Sequence, residues 1–186
     1  MAVRGYPMKF LAGFVAAFIV SALGAFLVIV NGVYNVAATV PHTELERVIL
    51  NSTMRYSVRA HAGTELREAW SEDQVRKGFE DYDQMCIVCH GAPGKERSYI
   101  SKGQRPEPPN LVETSERWSN AELFWIIKNG IKMTGMPAFG PTHQDEEIWN
   151  IVGFVRRLPQ TSAREFQAME AQITKSPERE QNHHHQ

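Results

Sequence analysis

The sequence contains few cysteines and carries almost no net charge. Its 186 residues include only two cysteines, which does not indicate a fold held together by several disulfides. Basic and acidic side chains nearly balance, with 20 Lys and Arg against 21 Asp and Glu, so no positive excess points to nucleic acid. No glycine-rich phosphate loop and no internal repeat is visible. A chain of this length predicts one domain with extensions.

Charged residues are also absent from a long run near the N-terminus, from Phe10 to Val30. As a helix this run would span about 30 Å, the thickness of the hydrocarbon core of a bilayer. Arg4 and Lys9 precede it, and by the positive-inside rule they keep the N-terminus cytoplasmic. We therefore predict a single transmembrane anchor at residues 10–30. A cleaved signal peptide, cut near Val36-Ala37-Ala38, is the alternative, although its apolar stretch is normally shorter.

The two cysteines lie in the run Cys86-Ile87-Val88-Cys89-His90, a spacing typical of covalent c-type haem attachment. Each thiol can add across one haem vinyl group, and the adjacent imidazole can bind the iron from one face. A redox dithiol would give His90 no role. A structural zinc site needs four ligands, and His42, His61 and His143 lie at no recognisable spacing from the cysteines. A disulfide across two residues would be strained.

A haem iron with one axial histidine calls for a sixth ligand on its other face. A downstream loop offers two methionines, Met133 and Met136, and the second is followed by Pro137. Methionine ligation raises the reduction potential and suits electron transfer. His143, just after this loop, would instead give bis-histidine ligation.

With these motifs the sequence resembles the class I c-type cytochromes, from about Ser71 to Gln160. In that family a helix ends in Cys-x-x-Cys-His, a later loop carries the axial methionine, often as Met-Pro, and a C-terminal helix crosses the first. The resemblance implies an all-α cytochrome c haem domain at residues 71–160 with one covalently bound haem c. A juxtamembrane helical linker at residues 31–70 would precede it, and a polar tail at residues 161–186 would follow. Because such haem is attached outside the cytoplasm, the haem domain is expected to face the periplasm.

The resemblance also assigns the haem ligands. Cys86 and Cys89 would form the thioethers, and His90 would be one axial ligand. The family places the other ligand directly before a proline, which favours Met136 over Met133, and the fixed backbone angle of proline would hold that loop in one place.

A second haem contact is implied by Pro108-Pro109-Asn110-Leu111, which resembles the Pro-Asn-Leu element of the family. The carbonyl of Pro109 would accept a hydrogen bond from the second ring nitrogen of His90, which fixes the tautomer of the ring. Leu111 would pack against the porphyrin. Pro108 is the alternative acceptor, and a plain proline-rich loop without a haem contact is the alternative interpretation.

The family also predicts where two helices cross. Gly78 lies inside the helix that leads to the first cysteine, where glycine costs about 1 kcal/mol relative to alanine. In the family, glycine at this distance lets the C-terminal helix approach closely, with an aromatic residue four positions later, here Tyr82. The partner helix would span Gln144–Leu158, with Phe154 at the crossing, and Gly153 is expected to ease the same approach.

Other helices are predicted from their first turns. Thr43 with Glu46 begins a helical stretch that reaches towards Trp70 and is interrupted at Gly63. This stretch could lie on the membrane surface, dock on the haem domain or contact a partner. Ser71 and Ser119 begin two further helices, and a helical patch at residues 164–173 is expected before a disordered polar end from Lys175.

These features predict an electron carrier rather than an enzyme, anchored in the cytoplasmic membrane and linking a respiratory donor to an acceptor at its outer face. Its partners would be redox proteins or a respiratory membrane complex, with no nucleic acid and no small-molecule substrate. Lys128 and Lys132 flank the methionine loop and are candidates for steering an acidic partner. A fixed subunit of a larger oxidase or dehydrogenase complex is the alternative, and a ligand-binding sensor or enzyme is the third hypothesis.

Overall fold

The computed structural model describes residues 6–65 and 67–174, and within these ranges it contains helices and loops but no β-strand. The predicted all-α class is confirmed. Arg4 and the predicted disordered end from Lys175 lie outside the described residues. The chain divides into two compact units, residues 1–40 and residues 41–186.

The first unit is formed by one apolar helix, α1, which spans Tyr6–Val30. Its segment Lys9–Val30, of 22 residues, is long and apolar enough to cross a bilayer. The side chain and backbone amides of Asn31 both donate to the carbonyl of Leu27 and so end the helix. A membrane anchor and a signal sequence share this length and composition.

The second unit is built from short helices, most of which begin at a capping residue. Thr43, Ser71 and Ser119 each form the predicted N-cap, and each accepts a hydrogen bond from the third residue of its helix. In chain order the helices are α2 Glu44–His61, α3 Glu72–Asp81, α4 Ile87–His90, α5 Tyr99–Lys102, α6 Leu111–Thr114, α7 Asn120–Asn129, α8 Asp145–Arg157 and α9 Ala163–Thr174.

The core of this unit is the crossing of α3 and α8. A Cβ atom on Gly78 would lie 1.9 Å from the backbone oxygen of Asn150, so the two backbones touch where the family predicts it. Beside this point the rings of Tyr82 and Phe154 pack edge to face at 5.2 Å, and both side chains are fully buried. The predicted crossing is confirmed.

Gly153 serves a different contact from the one predicted. A Cβ atom on Gly153 would lie 2.6 Å from the ring of Trp70, so this glycine makes room for the linker and not for α3. The indole Nε1 of Trp70 donates to the carbonyl of Trp149 at 2.7 Å. Arg67, three residues earlier, pairs with Glu146 on the same helix through two hydrogen bonds of 2.9 and 3.0 Å. Of the three placements open for the linker, the structure shows docking on the haem-domain helices.

Helix α9 also packs into the core, although its residues fall within the predicted polar tail. Phe166 is fully buried, and its ring meets that of Phe79 at 5.2 Å, edge to face. Ile173 is buried as well. These apolar positions are spaced one or two turns apart in an otherwise polar sequence, which is the pattern of a helix with a narrow buried stripe.

We expect Gly78→Ala to destabilise the haem domain by about 3 kcal/mol or more, because the new methyl group would meet the backbone of Asn150 and not a side chain that can move. The matched control is Gly103→Ala, whose Cβ would lie at an ordinary 3.5 Å from the nearest atom. Denaturant unfolding followed by far-UV circular dichroism measures both. Equal unfolding midpoints for the two variants would contradict the close crossing.

Candidate haem-binding site

The cysteine motif stands at the end of one continuous helical run. After α3 the chain makes a π-helical turn over Tyr82–Cys86 and continues directly into α4, which ends at His90. Gly91 closes this helix with φ 68°, a left-handed conformation that favours glycine. The hydroxyl of Tyr82 donates to the carbonyl of Gly91 at 2.7 Å. Tyr82, which packs at the helix crossing, therefore also holds Gly91, the residue directly after His90.

The state of the thiols argues against a redox dithiol. Both cysteines are free and partly buried. Burial, with smaller contributions from Asp81 and Cys89, raises the pKa of Cys86 to about 12. A redox dithiol needs a lowered thiol pKa, so this site does not have the electrostatics of that chemistry. Within the described ranges no group of three or more His, Cys, Asp or Glu side chains converges on a metal position, which also disfavours a zinc site.

His90 is held by the backbone of the proline loop. Its Nδ1 lies 2.8 Å from the carbonyl oxygen of Pro109, whereas the carbonyl of Pro108 accepts from Arg97. The structure thus brings Pro109, and not Pro108, to the histidine. Burial lowers the pKa of His90, so the ring is neutral near neutral pH. A ring that donates from Nδ1 keeps the lone pair of Nε2 available for a metal.

Arg97 is a site residue that sequence reasoning missed. Its guanidinium bonds the carbonyl of Pro108 and the carboxylate of Glu107, and so fixes the backbone that carries the Pro109 carbonyl. Its charge also contributes to the lowered pKa of His90. No spacing in the sequence signals this role, because an arginine in a polar loop is ordinarily a solvated surface residue.

The methionine loop is folded back onto the end of α7. The last carbonyl groups of a helix have no partner within it, and here two of them accept from the returning loop. Phe139 N donates to Ile127 O at 3.1 Å, and Gly140 N donates to Lys128 O at 2.9 Å. The loop therefore returns to the core at a fixed position.

The two methionines of this loop differ sharply in their environment. Met136 packs against the hydrophobic core, its carbonyl accepts from Ile131 N at 3.2 Å, and its amide donates to the Thr134 hydroxyl at 3.1 Å. Met133 is 97% exposed, with a backbone φ of 58°. Only Met136 has the packing and backbone bonding of a side chain held in one place.

Gln104 lies between the cysteine motif and the methionine loop. Its Nε2 is 4.0 Å from the sulfur of Cys89, and a Cβ atom on Gly135 would lie 2.4 Å from its Oε1. That oxygen is buried and has no hydrogen-bond partner, which is unusual for a buried polar atom. The two halves of the predicted site therefore face each other across one amide side chain. Sequence reasoning also missed this residue.

The remaining predicted positions lie at the edges of the site. Leu111 begins α6, where the side chain of Asn110 caps the helix, and it packs partly against the core. His143, the alternative axial ligand, lies beside the Phe139 ring, and its Nδ1 is 2.9 Å from the Thr142 hydroxyl.

These residues fit a covalently bound haem in their chemistry. Two free thiols and a neutral imidazole project from one helical run, and a thioether is presented by a loop on the other side of Gln104. Thiols, imidazole and thioether are the groups that attach and ligate haem c.

A match to a known protein family points the same way. Residues 73–155 match the sequence model of the family described as cytochrome C oxidase, cbb3-type, subunit III. Among solved structures, the c-type cytochrome XoxG from Methylobacterium extorquens AM1 is similar at 21% sequence identity, with a TM-score of 0.36 over 55% of this chain and 72% of that one. The family match lies on the cysteine motif and the helices around it. It supports a class I c-type cytochrome domain in this part of the chain, a family whose covalently bound haem serves electron transfer.

Proposed function

We propose that this protein is a membrane-anchored monohaem cytochrome that carries single electrons between redox proteins at the outer face of the cytoplasmic membrane. The observation that carries the proposal is a Cys-x-x-Cys-His helix end that faces, across Gln104, the loop of the partly buried Met136. Because the chain has only two cysteines, it attaches one haem.

In this proposal each site residue has a defined task. Cys86 and Cys89 hold the haem by thioether bonds, so it cannot diffuse away. His90 would hold the iron through Nε2, and its bond to the Pro109 carbonyl fixes the ring and would make it a better donor. Met136 would hold the iron through its thioether, and Leu111 would pack against the porphyrin. The haem itself supplies the one-electron couple.

A closed set of ligands favours a carrier over an enzyme. His90 and Met136 together would hold the haem and leave no position for a substrate, and the bound haem would supply a one-electron couple. Methionine ligation also raises the reduction potential. The apolar helix α1 is the anchor in this proposal and places the haem domain in the periplasm.

A fixed subunit of a larger oxidase is the second candidate, and the description of the matching family favours it. The match covers residues 73–155 only, which is the haem domain without the anchor and the linker. Purification in mild detergent separates the two candidates. A carrier elutes alone, whereas a subunit elutes with partner chains in fixed proportion.

The proposed ligand set predicts that Met136→Leu abolishes the weak red absorption band of a methionine–iron bond and lowers the reduction potential. Met133→Leu is the matched control, and it should leave both unchanged because Met133 is exposed. Visible spectra of the oxidised and reduced protein, with a potentiometric titration, measure the outcome. A band that survives in Met136→Leu and vanishes in Met133→Leu would show that Met133, and not Met136, is the ligand.

Steering of an acidic partner should depend on Lys132 more than on Lys128. Lys128 is paired with Asp145 at 2.6 Å, whereas in the described ranges the exposed Lys132 forms no ion pair. Lys132→Gln should therefore slow electron transfer to an acidic acceptor several-fold at low salt, and Lys128→Gln should slow it less. Stopped-flow rates measured across a salt series test this. An effect of Lys132→Gln that is equally large at high salt would exclude electrostatic steering.

A further inference from the structure

Helix α2 carries an apolar stripe on the side opposite to its one buried residue, Val58. Val48 and Ile49 lie three and four residues after Leu45, and Tyr56 lies seven residues after Ile49, which places all four on one side of the helix, here called the outer face. Val58 lies on the opposite side and is fully buried against the haem domain. One face is therefore accounted for by the fold, and the other is not.

The outer face is open to its surroundings. The exposed fractions of its four large side chains range from 53% to 71%. Single exposed apolar residues are ordinary on protein surfaces, but a continuous stripe of them usually marks a contact with another apolar phase. The stripe is also a regular helix face and not a loop, so its shape is fixed.

The C-terminal half of α2 is fixed to the haem domain by three contacts with the region around α7. Arg59 pairs with Glu122 at 3.6 Å, and the rings of His61 and Trp125 lie 6.0 Å apart. The Arg55 guanidinium lies 5.7 Å from the centre of the Trp118 ring. The direction of the outer face is therefore set by the haem domain.

The sequence that leads into α2 indicates what covers this face. From Phe10 to Thr43 the chain contains no Asp, Glu, Lys or Arg, so the path from the apolar helix to α2 carries no charged side chain. The connector after Val30 instead contains Val33, Tyr34, Val36 and Val40. A connector of this length reaches about 45 Å at most when fully extended, and tyrosine is enriched where a chain meets the lipid headgroups.

We propose that the outer face of α2 lies in the headgroup region of the bilayer and that α2 forms a layer between the membrane and the haem domain. An amphipathic helix in this position buries its apolar side chains about 5–10 Å into the boundary between headgroups and acyl chains. The proposal rests on the membrane anchor of the proposed function. It adds that the haem domain has a fixed orientation to the membrane instead of moving freely on a tether.

The test uses full-length, haem-loaded protein in liposomes of phosphatidylethanolamine and phosphatidylglycerol. Haem attachment consumes Cys86 and Cys89, so a new cysteine is the only free thiol and accepts a nitroxide spin label. Ile49→Cys places the label on the outer face, and Asn51→Cys places it on another side of the same helix as the matched control. Relaxation by oxygen, which concentrates in lipid, is compared with relaxation by a water-soluble nickel complex in the oxidised protein. Val48→Cys replaces Ile49→Cys if that variant does not fold.

The ratio of oxygen to nickel accessibility should be at least about threefold higher at position 49 than at position 51. Equal ratios at both positions would overturn the proposal. A label at position 49 that neither reagent reaches would also overturn it, because a second copy of the chain would then cover the face. An alkaline wash of the same liposomes tests the anchor separately. Protein that washes off refutes the anchor, whereas protein that stays with equal ratios refutes only the interfacial helix.

Discussion

The contact of two backbones at Gly78 and Asn150 is the constraint on which the haem domain depends. It exists only because position 78 has no side chain, and it fixes the angle between α3 and α8. The helical run that begins with α3 ends in the cysteine motif, so the same contact sets the direction from which the thiols and the imidazole approach the haem. Tyr82 connects the helix crossing to the cysteine motif, since its ring packs at the crossing and its hydroxyl donates to the carbonyl of Gly91. A loss of close packing there would change stability and the geometry of the site together.

Backbone groups, more than side chains, position the two proposed axial ligands. The carbonyl of Pro109 meets His90, and the open carbonyls at the end of α7 accept from the loop that carries Met136. Buried backbone groups need hydrogen-bond partners. These bonds do not depend on the side chains of the loops, so substitutions of those side chains leave them intact. Arg97 adds a charged support at the proline loop. This arrangement suits the proposed carrier, because both side chains would stay in place while the haem iron changed its oxidation state.

The parts predicted from sequence are those whose cause is local. Thr43, Ser71 and Ser119 cap their helices through residues only three positions away, and the cysteine motif carries its own spacing. The crossing at Gly78 needed the family resemblance, because a glycine inside a helix does not reveal its neighbour. The roles of Gly153, Gln104 and Arg97 escaped prediction, since each depends on a residue that the path of the chain brings near. The burial of α9 was not predicted for a related reason. A narrow apolar stripe in a polar sequence is weak evidence for a buried helix until the surface that it packs against is known.

The linker is the element whose meaning changes most once the structure is known. From the sequence its helical stretch could lie on the membrane surface, dock on the haem domain or contact a partner. In the structure Arg67 and Trp70 attach its end to α8, the helix that crosses α3, and α2 rests on the helix that carries the methionine loop. A simple spacer would need neither the Arg67 salt bridge nor the hydrogen bond of the Trp70 indole. It would also not need Gly153, which leaves room for that indole ring. These contacts stiffen the approach to the haem domain, and stiffness matters for a carrier because electron transfer requires the haem to meet its partner in a restricted set of orientations.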